Sequence, residues 1–207
     1  MLKCLHPTVK GNIYYKLNLK IGVIFVNPMT AENLRSAFGG ESQAHMRYLI
    51  WGDKAKRDGF PNVANLFKAI SYAEQVHATG HFNALKNEDG DFSVTSMAGF
   101  GLGTTSENLQ GAINGELFEI KQMYPSYIAV AEMQEEKSAL RPMNFALAAE
   151  KIHAKLFQEA KDSVDKNKDI DIEKVYICPV CGYTAADEAE DICPICGVSK
   201  DKFKVFD

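Results

Sequence analysis

From residue 31 onward, apolar positions recur three and four apart, the spacing of one helix face, in four stretches separated by glycine, proline and acidic breaks. The first stretch predicts a helix over residues 31–57, with Thr30 as its N-cap and Asp58-Gly59-Phe60-Pro61 as its stop. The second covers about 62–86 and ends at Asn87-Glu88-Asp89-Gly90. A linker bearing Gly99, Gly101 and Gly103 then runs to about residue 105. Ser106-Glu107 reads as the opening of a third helix that continues to about 133, with an irregularity at Pro125. A fourth helix covers about 141–164. Two helix pairs joined by a longer crossover predict a mainly α fold, a four-helix bundle over residues 29–168. A linker of this length can cross the bundle or reach a second subunit, so helix exchange in a dimer stays open.

The apolar stripes are interrupted by acids where core residues belong. The first helix carries Glu41 and, seven residues on, Tyr48; the second carries Glu74-x-x-His77 beside Phe67 and Ile70. The third carries Glu116-x-x-Glu119, and the fourth Glu150-x-x-His153 between Ala149 and Leu156. Residues three apart share a helix face, so each pair aims at one point. Burying an unpartnered carboxylate costs several kcal/mol. Five of them on core stripes require cations, and five carboxylates with two neutral histidines suit two iron or manganese ions. A single Glu-x-x-His is more often a solvated surface pair, but here one Glu, two Glu-x-x-His and one Glu-x-x-Glu fall one set per helix, and their order repeats between the two halves. The bundle is therefore expected to be of the ferritin-like, dimetal type. His45 and His81 lie four residues beyond Glu41 and His77; either reaches toward the site or sits at the surface.

Composition narrows the class. The 207 residues are 46% hydrophobic and 24% charged, which excludes a disordered chain. A formal net charge of −4 argues against nucleic-acid binding. No apolar run approaches the length of a membrane span. Residues 1–28 carry four lysines and no acid around a short apolar run, and read as an N-terminal extension outside the bundle; export is the alternative. Four of the five cysteines form two knuckles, Cys178-Pro179-Val180-Cys181-Gly182 and Cys193-Pro194-Ile195-Cys196-Gly197. Four thiolates so spaced make a tetrahedral site for zinc or iron rather than disulfides, which places the chain in a reducing compartment, the cytoplasm. Residues 172–207 are too few to fold without that metal; Tyr176, Tyr183, Phe203 and Phe206 are expected to form a small core around it. Cys4 is left over as a free thiol.

A carboxylate dimetal bundle followed by a four-cysteine domain resembles rubrerythrin. The resemblance is carried by Ala37-Phe38-Gly39-Gly40-Glu41-Ser42-Gln43-Ala44, Ala73-Glu74-x-x-His77-Ala78, Gly115-Glu116-x-x-Glu119 leading to Met123-Tyr124-Pro125-Ser126, Ala149-Glu150-x-x-His153-Ala154 and both knuckles. It implies a non-haem di-iron peroxidase that reduces hydrogen peroxide to water in oxidative-stress defence. Glu41, Glu74, His77, Glu116, Glu119, Glu150 and His153 would hold two irons, with Glu74 and Glu150 bridging and Glu119 exchanging with His77 as the redox state changes. Tyr48 and Tyr124 would hydrogen-bond the carboxylates. Cys178, Cys181, Cys193 and Cys196 would form a rubredoxin-like iron site, with zinc as a substitute, that serves a partner subunit in a homodimer. A rubredoxin or a nicotinamide-dependent reductase would supply electrons. The alternatives are a ferroxidase on the same bundle and a binding module with a zinc ribbon.

Overall fold

The computed structural model describes residues 25–207. The lysine-bearing segment up to residue 24, with Cys4 and His6, lies outside the described residues. Five α-helices and a small sheet follow: α1 Pro28–Arg57, α2 Pro61–Ala84, α3 Thr105–Phe118, α4 Tyr124–Met133 and α5 Lys137–Val164. A π-helical turn, Glu119–Met123, joins α3 to α4, so the two make one bundle helix with an internal defect. The irregularity expected at Pro125 therefore falls just before it. Proline lacks an amide, and the wider turn closes instead by Tyr124 N–H to the Glu119 carbonyl.

The helix boundaries differ from the sequence expectation at three starts. Helix α1 begins at Pro28 with Asn27 as its cap residue, so Thr30 lies inside it, its side chain bonded to Gln134. Helix α3 is capped by Thr104, which accepts from the Glu107 amide while Glu107 bonds back to the Thr104 amide. Helix α5 begins at Lys137, earlier than expected, and carries Pro142 within its second turn. Position 142 lies past the first turn, so its missing amide removes one helical hydrogen bond that packing of the rest of α5 must offset.

Tyr48, Phe67 and Phe157 are fully buried and pack ring to ring, with centroids 5.1–5.9 Å apart. This aromatic layer adjoins the acidic positions, where the Tyr48 hydroxyl meets Glu116. Residues 85–104 form an extended crossover along the outside of α1. It is tied there by Ser36 to the Thr95 carbonyl, Gln43 to the Met97 carbonyl and the Trp51 indole N–H to the Gly101 carbonyl.

The C-terminal segment forms an antiparallel sheet in the order β2 (Thr184–Ala186), β1 (Val175–Ile177), β3 (Lys204–Phe206), with Tyr176 opposite Ala185 and Val205. Its inner face is shared with the bundle: Val175, Ile177 and Phe206 belong to the same buried cluster as Leu66, Ile70 and Phe157. Phe206 thus leaves the small core expected around the cysteines and packs on Tyr72 instead, while Tyr176, Tyr183 and Phe203 surround the knuckles. Asp169 fixes this arrangement. Helix α2 has no cap of its own, and Asp169 accepts from the Asn62 and Val63 amides at 2.8 and 3.1 Å. The chain leaving α5 is thereby turned back onto the bundle.

Candidate metal centres

Four helices deliver one buried acidic set. Glu41, Glu74, His77 and Glu150 bring a ligand atom each within 4.8 Å of one another, and so do Glu74, Glu116, Glu150 and His153. Glu74 and Glu150 belong to both groups and lie between two metal positions. All six are at most 3% exposed. Glu119 stands apart from both groups, on the π-turn, at 8% exposure. The π-turn lets two glutamates three apart do different work: Glu116 joins the cluster and Glu119 faces its edge.

The donor set fits cations. Oxygens of Glu41, Glu74 and Glu116 are buried with no hydrogen-bond partner, and the Glu150 oxygens meet only the Nδ1 atoms of His77 and His153, at 2.8 and 2.7 Å. Orphaned atoms converging on one point are costly unless an ion fills it. The electrostatics agree. Burial, then neighbouring carboxylates, push Glu41, Glu116 and Glu119 well above the ordinary range. Burial alone would raise Glu150 too, but His77 and His153 hold it low. Burial works against protonation of His153, yet Glu150 and Glu74 raise it to about 9. Without metal, the site thus shares protons among its acids and histidines. Two cations would replace them.

The two tyrosines expected near the carboxylates are there. Tyr48 donates to Glu116 at 2.5 Å, and Tyr124 donates to Glu41. Burial raises both phenols well above their usual range, so both stay protonated donors. His81 is fully buried rather than at the surface. Its Nε2 lies 2.8 Å from the Tyr124 hydroxyl, which is already donating to Glu41, so the imidazole N–H donates there. Burial lowers His81 to about 3, which keeps it neutral. The four-residue spacing from His77 was the available signal. His45 instead bonds the Ser71 carbonyl and hydroxyl, away from the metals.

Each metal-facing histidine is oriented by the cysteine domain. His77 Nε2 lies 3.2 Å from the Cys181 carbonyl, and His153 Nε2 lies 2.9 Å from the Thr184 hydroxyl, which itself donates to the Gly182 carbonyl. Both rings must therefore carry hydrogen on Nε2, leaving Nδ1 free as a ligand. The resemblance implies that the four-cysteine iron serves a partner's site. Within one chain, the structure seats it beside this chain's own site. Sequence reasoning missed Cys181 O and Thr184, because a backbone carbonyl has no sequence signature.

The four thiols lie within 4.8 Å of one another, with Cys178–Cys196 and Cys181–Cys193 Sγ pairs both at 3.5 Å. A tetrahedron with metal–sulfur bonds of about 2.3 Å has edges near ~3.8 Å, so the cage is close to metal size. The knuckles are twins. Gly182 and Gly197 donate to the Cys178 and Cys193 carbonyls, and both glycines adopt positive φ, +76° and +79°. Backbone amides also point at sulfur: the neighbouring Cys181 thiol and the Val180 and Cys181 amides lower Cys178 to about 5. The bundle set fits two iron ions and the cysteine set one iron.

Known proteins share both units. The rubrerythrin family matches residues 32–161, and the rubredoxin-like domain of rubrerythrin matches residues 176–204. The chain is 62% identical to rubrerythrin-2 of Clostridium acetobutylicum over 180 residues, 87% of this chain and 98% of that one. It is 30% identical to nigerythrin of Nitratidesulfovibrio vulgaris, over 74% of this chain and 75% of the relative. The fully reduced, all-ferrous structure of nigerythrin superposes with a TM-score of 0.76 at 28% identity, covering 99% of each chain.

Proposed function

Because the chain belongs to the rubrerythrin family, an oxidoreductase family, we propose that it reduces hydrogen peroxide to water at the bundle centre and is reset through the four-cysteine iron. When bound, two ferrous ions supply the two electrons that, with two protons, convert one peroxide into two waters. The chain's own residues hold those ions. Glu74 and Glu150 keep the two positions together, and Tyr48 and Tyr124 hold Glu116 and Glu41 by hydrogen bonds. The row His81, Tyr124, Glu41 is a chain of hydrogen bonds that fixes the Glu41 carboxylate, and it ends inside the core at the unpartnered His81 Nδ1. Glu119, a seventh potential ligand, supports the exchange with His77 that the family resemblance implies.

The observation that carries this reading is the 3.2 Å contact between His77 Nε2 and the carbonyl of Cys181, itself a cysteine ligand. It links the two centres through one hydrogen bond. A ferroxidase on the same bundle leaves the four-cysteine site without a task. Nigerythrin has been solved in fully reduced, mixed-valence and partially reduced states, which fits a protein of this type cycling electrons. A rubredoxin or a nicotinamide-dependent reductase fits as the external donor, and a homodimer as the working unit. Stopped-flow mixing of the reduced protein with peroxide tests the reading. Peroxide should oxidise the bundle centre faster than oxygen does. Faster oxidation by oxygen would overturn it.

A further inference from the structure

The bundle centre is closed on most sides. Six of its seven candidate ligands are almost fully buried, and Glu119 is the most exposed of the set. The Glu119 carboxylate, at 8% exposure, lines a cavity of about 270 Å³. One water occupies about 30 Å³ in the liquid, so several peroxide-sized molecules fit. Two facing helical rows bound the space: Gly40, Gln43 and Arg47 on α1, and Gly111, Gly115 and Glu119 opposite. The crossover, residues 96–99, roofs it, held by Gln43 on the Met97 carbonyl and Arg47 on the Gly99 carbonyl.

Glycine keeps the space open. A β-carbon at Gly115 would stand 3.5 Å from the Arg47 guanidinium and 3.8 Å from the Tyr48 hydroxyl, inside the cavity. One at Gly40 would meet the Ser96 hydroxyl at 3.0 Å. Arg47 lies over the Tyr48 and Trp51 rings at 5.4 and 5.1 Å, and its buried Nε has no partner. A cation, a buried carboxylate and a row of missing side chains thus face one cavity that ends at Glu119, on the edge of the ligand cluster.

We propose that this cavity is the inlet of the bundle centre, through which small oxygen-bearing substrates and anions pass beneath the crossover, between Arg47 and Gly115, to Glu119. The inference rests on the peroxidase reading for the identity of the substrate and on the cavity alone for the route. Azide, a small linear anion that ligates ferric iron, probes the route without turnover. In the oxidised holoprotein, Gly115→Leu fills the cavity from the helix, and Ser96→Phe fills it from the crossover, where the bundle is not disturbed. Each should slow azide association by about tenfold or more, with the visible spectrum of the azide-free centre unchanged. Thr79→Leu plugs a separate cavity of about 270 Å³ between α1 and α2 and should leave the rate within about twofold. Unchanged rates in both filled variants, or equal slowing in Thr79→Leu, would overturn the inlet. If peroxide turnover is absent while azide access still responds to Gly115 and Ser96, the peroxidase reading falls and the inlet stands.

Discussion

The two metal centres are built on opposite plans. All four cysteine ligands lie between residues 178 and 196, on two matching knuckles whose own backbone shapes the cage. The bundle ligands lie between residues 41 and 153, on four helices that must first assemble. The dependence between them is correspondingly one-sided. The cysteine cage takes its hydrogen bonds from its own turns, whereas both bundle histidines take theirs from the cysteine domain, at Cys181 and Thr184. Locality makes a site self-sufficient; assembly makes a site dependent on whatever closes it.

The strongest way to break this contrast is to empty each centre in turn. Glu150→Ala removes a carboxylate common to both bundle groups, so the bundle irons should be lost while the cysteine iron and its colour remain. Cys193→Ala should abolish the cysteine iron and unfold the knuckles. It should also weaken the bundle irons by about 10–100-fold, the usual effect of losing an outer hydrogen-bond partner. Metal content and visible spectra of the two variants decide it. Full bundle-iron affinity in Cys193→Ala would show that the centres are independent.

The twin glycines offer a finer cut. Both Gly182 and Gly197 have positive φ, so alanine at either position costs about 1–2 kcal/mol. At Gly197 nothing lies within 4 Å of the added carbon, but at Gly182 it would fall 2.0 Å from His77 Nε2. Gly182→Ala should therefore cost about 2–4 kcal/mol and slow re-reduction of the bundle centre. Gly197→Ala should lower the Tm alone. Equal behaviour in both assays would mean that the His77 contact does no positioning.

The bundle centre should also respond to pH in opposite senses with and without its metals. Glu41, Glu116 and Glu119 are raised by burial and by one another; His77 and His153 are raised by Glu150, against burial. Groups raised on folding stabilise fully below their unfolded pKa, and that stability is lost as pH rises through the folded value. For His153 the window runs from 6.5 to about 9. Glu150, held low, acts only at the acid end. Protein stripped of its bundle metals should lose Tm across that window, while bound metal requires deprotonated ligands and gains affinity. The Tm gap between the two forms should widen from pH 6.5 to 9; a metal-free Tm that climbs over this interval would contradict the sign.

Much of this was legible in the sequence because the chemistry is periodic. Acids three residues from histidines on apolar stripes announced a buried cation site, and two Cys-x-x-Cys pairs announced the cage. Neither pattern encodes where the two lie relative to each other. The starts of α1, α3 and α5 were missed because Asn27, the Thr104–Glu107 box and a proline tolerated at residue 142 are weaker signals than the stripe. The π-turn was visible only as a disturbance near Pro125. His81 was hidden because the same spacing serves surface histidines equally well.

Asp169 is the residue that turns two separate patterns into one molecule, and it tests the smallest of these effects. Nothing around it suggests a cap, since the helix it caps begins more than a hundred residues earlier. Its two oxygens hold the first amides of α2, while Asn62 reaches back to the Ile170 carbonyl. Asp169→Ala should cost about 1 kcal/mol, as cap losses do, or about 2–4 °C in a chain of this size. Asp169→Asn keeps an acceptor and should lose less. If the cap also aims the cysteine domain, Asp169→Ala should raise hydrogen exchange at Cys178 and Tyr183 more than in α3, which it does not touch. Uniform exchange across both regions would reduce Asp169 to a cap alone, and leave the shared core of Val175, Ile177 and Phe206 to hold the two centres together.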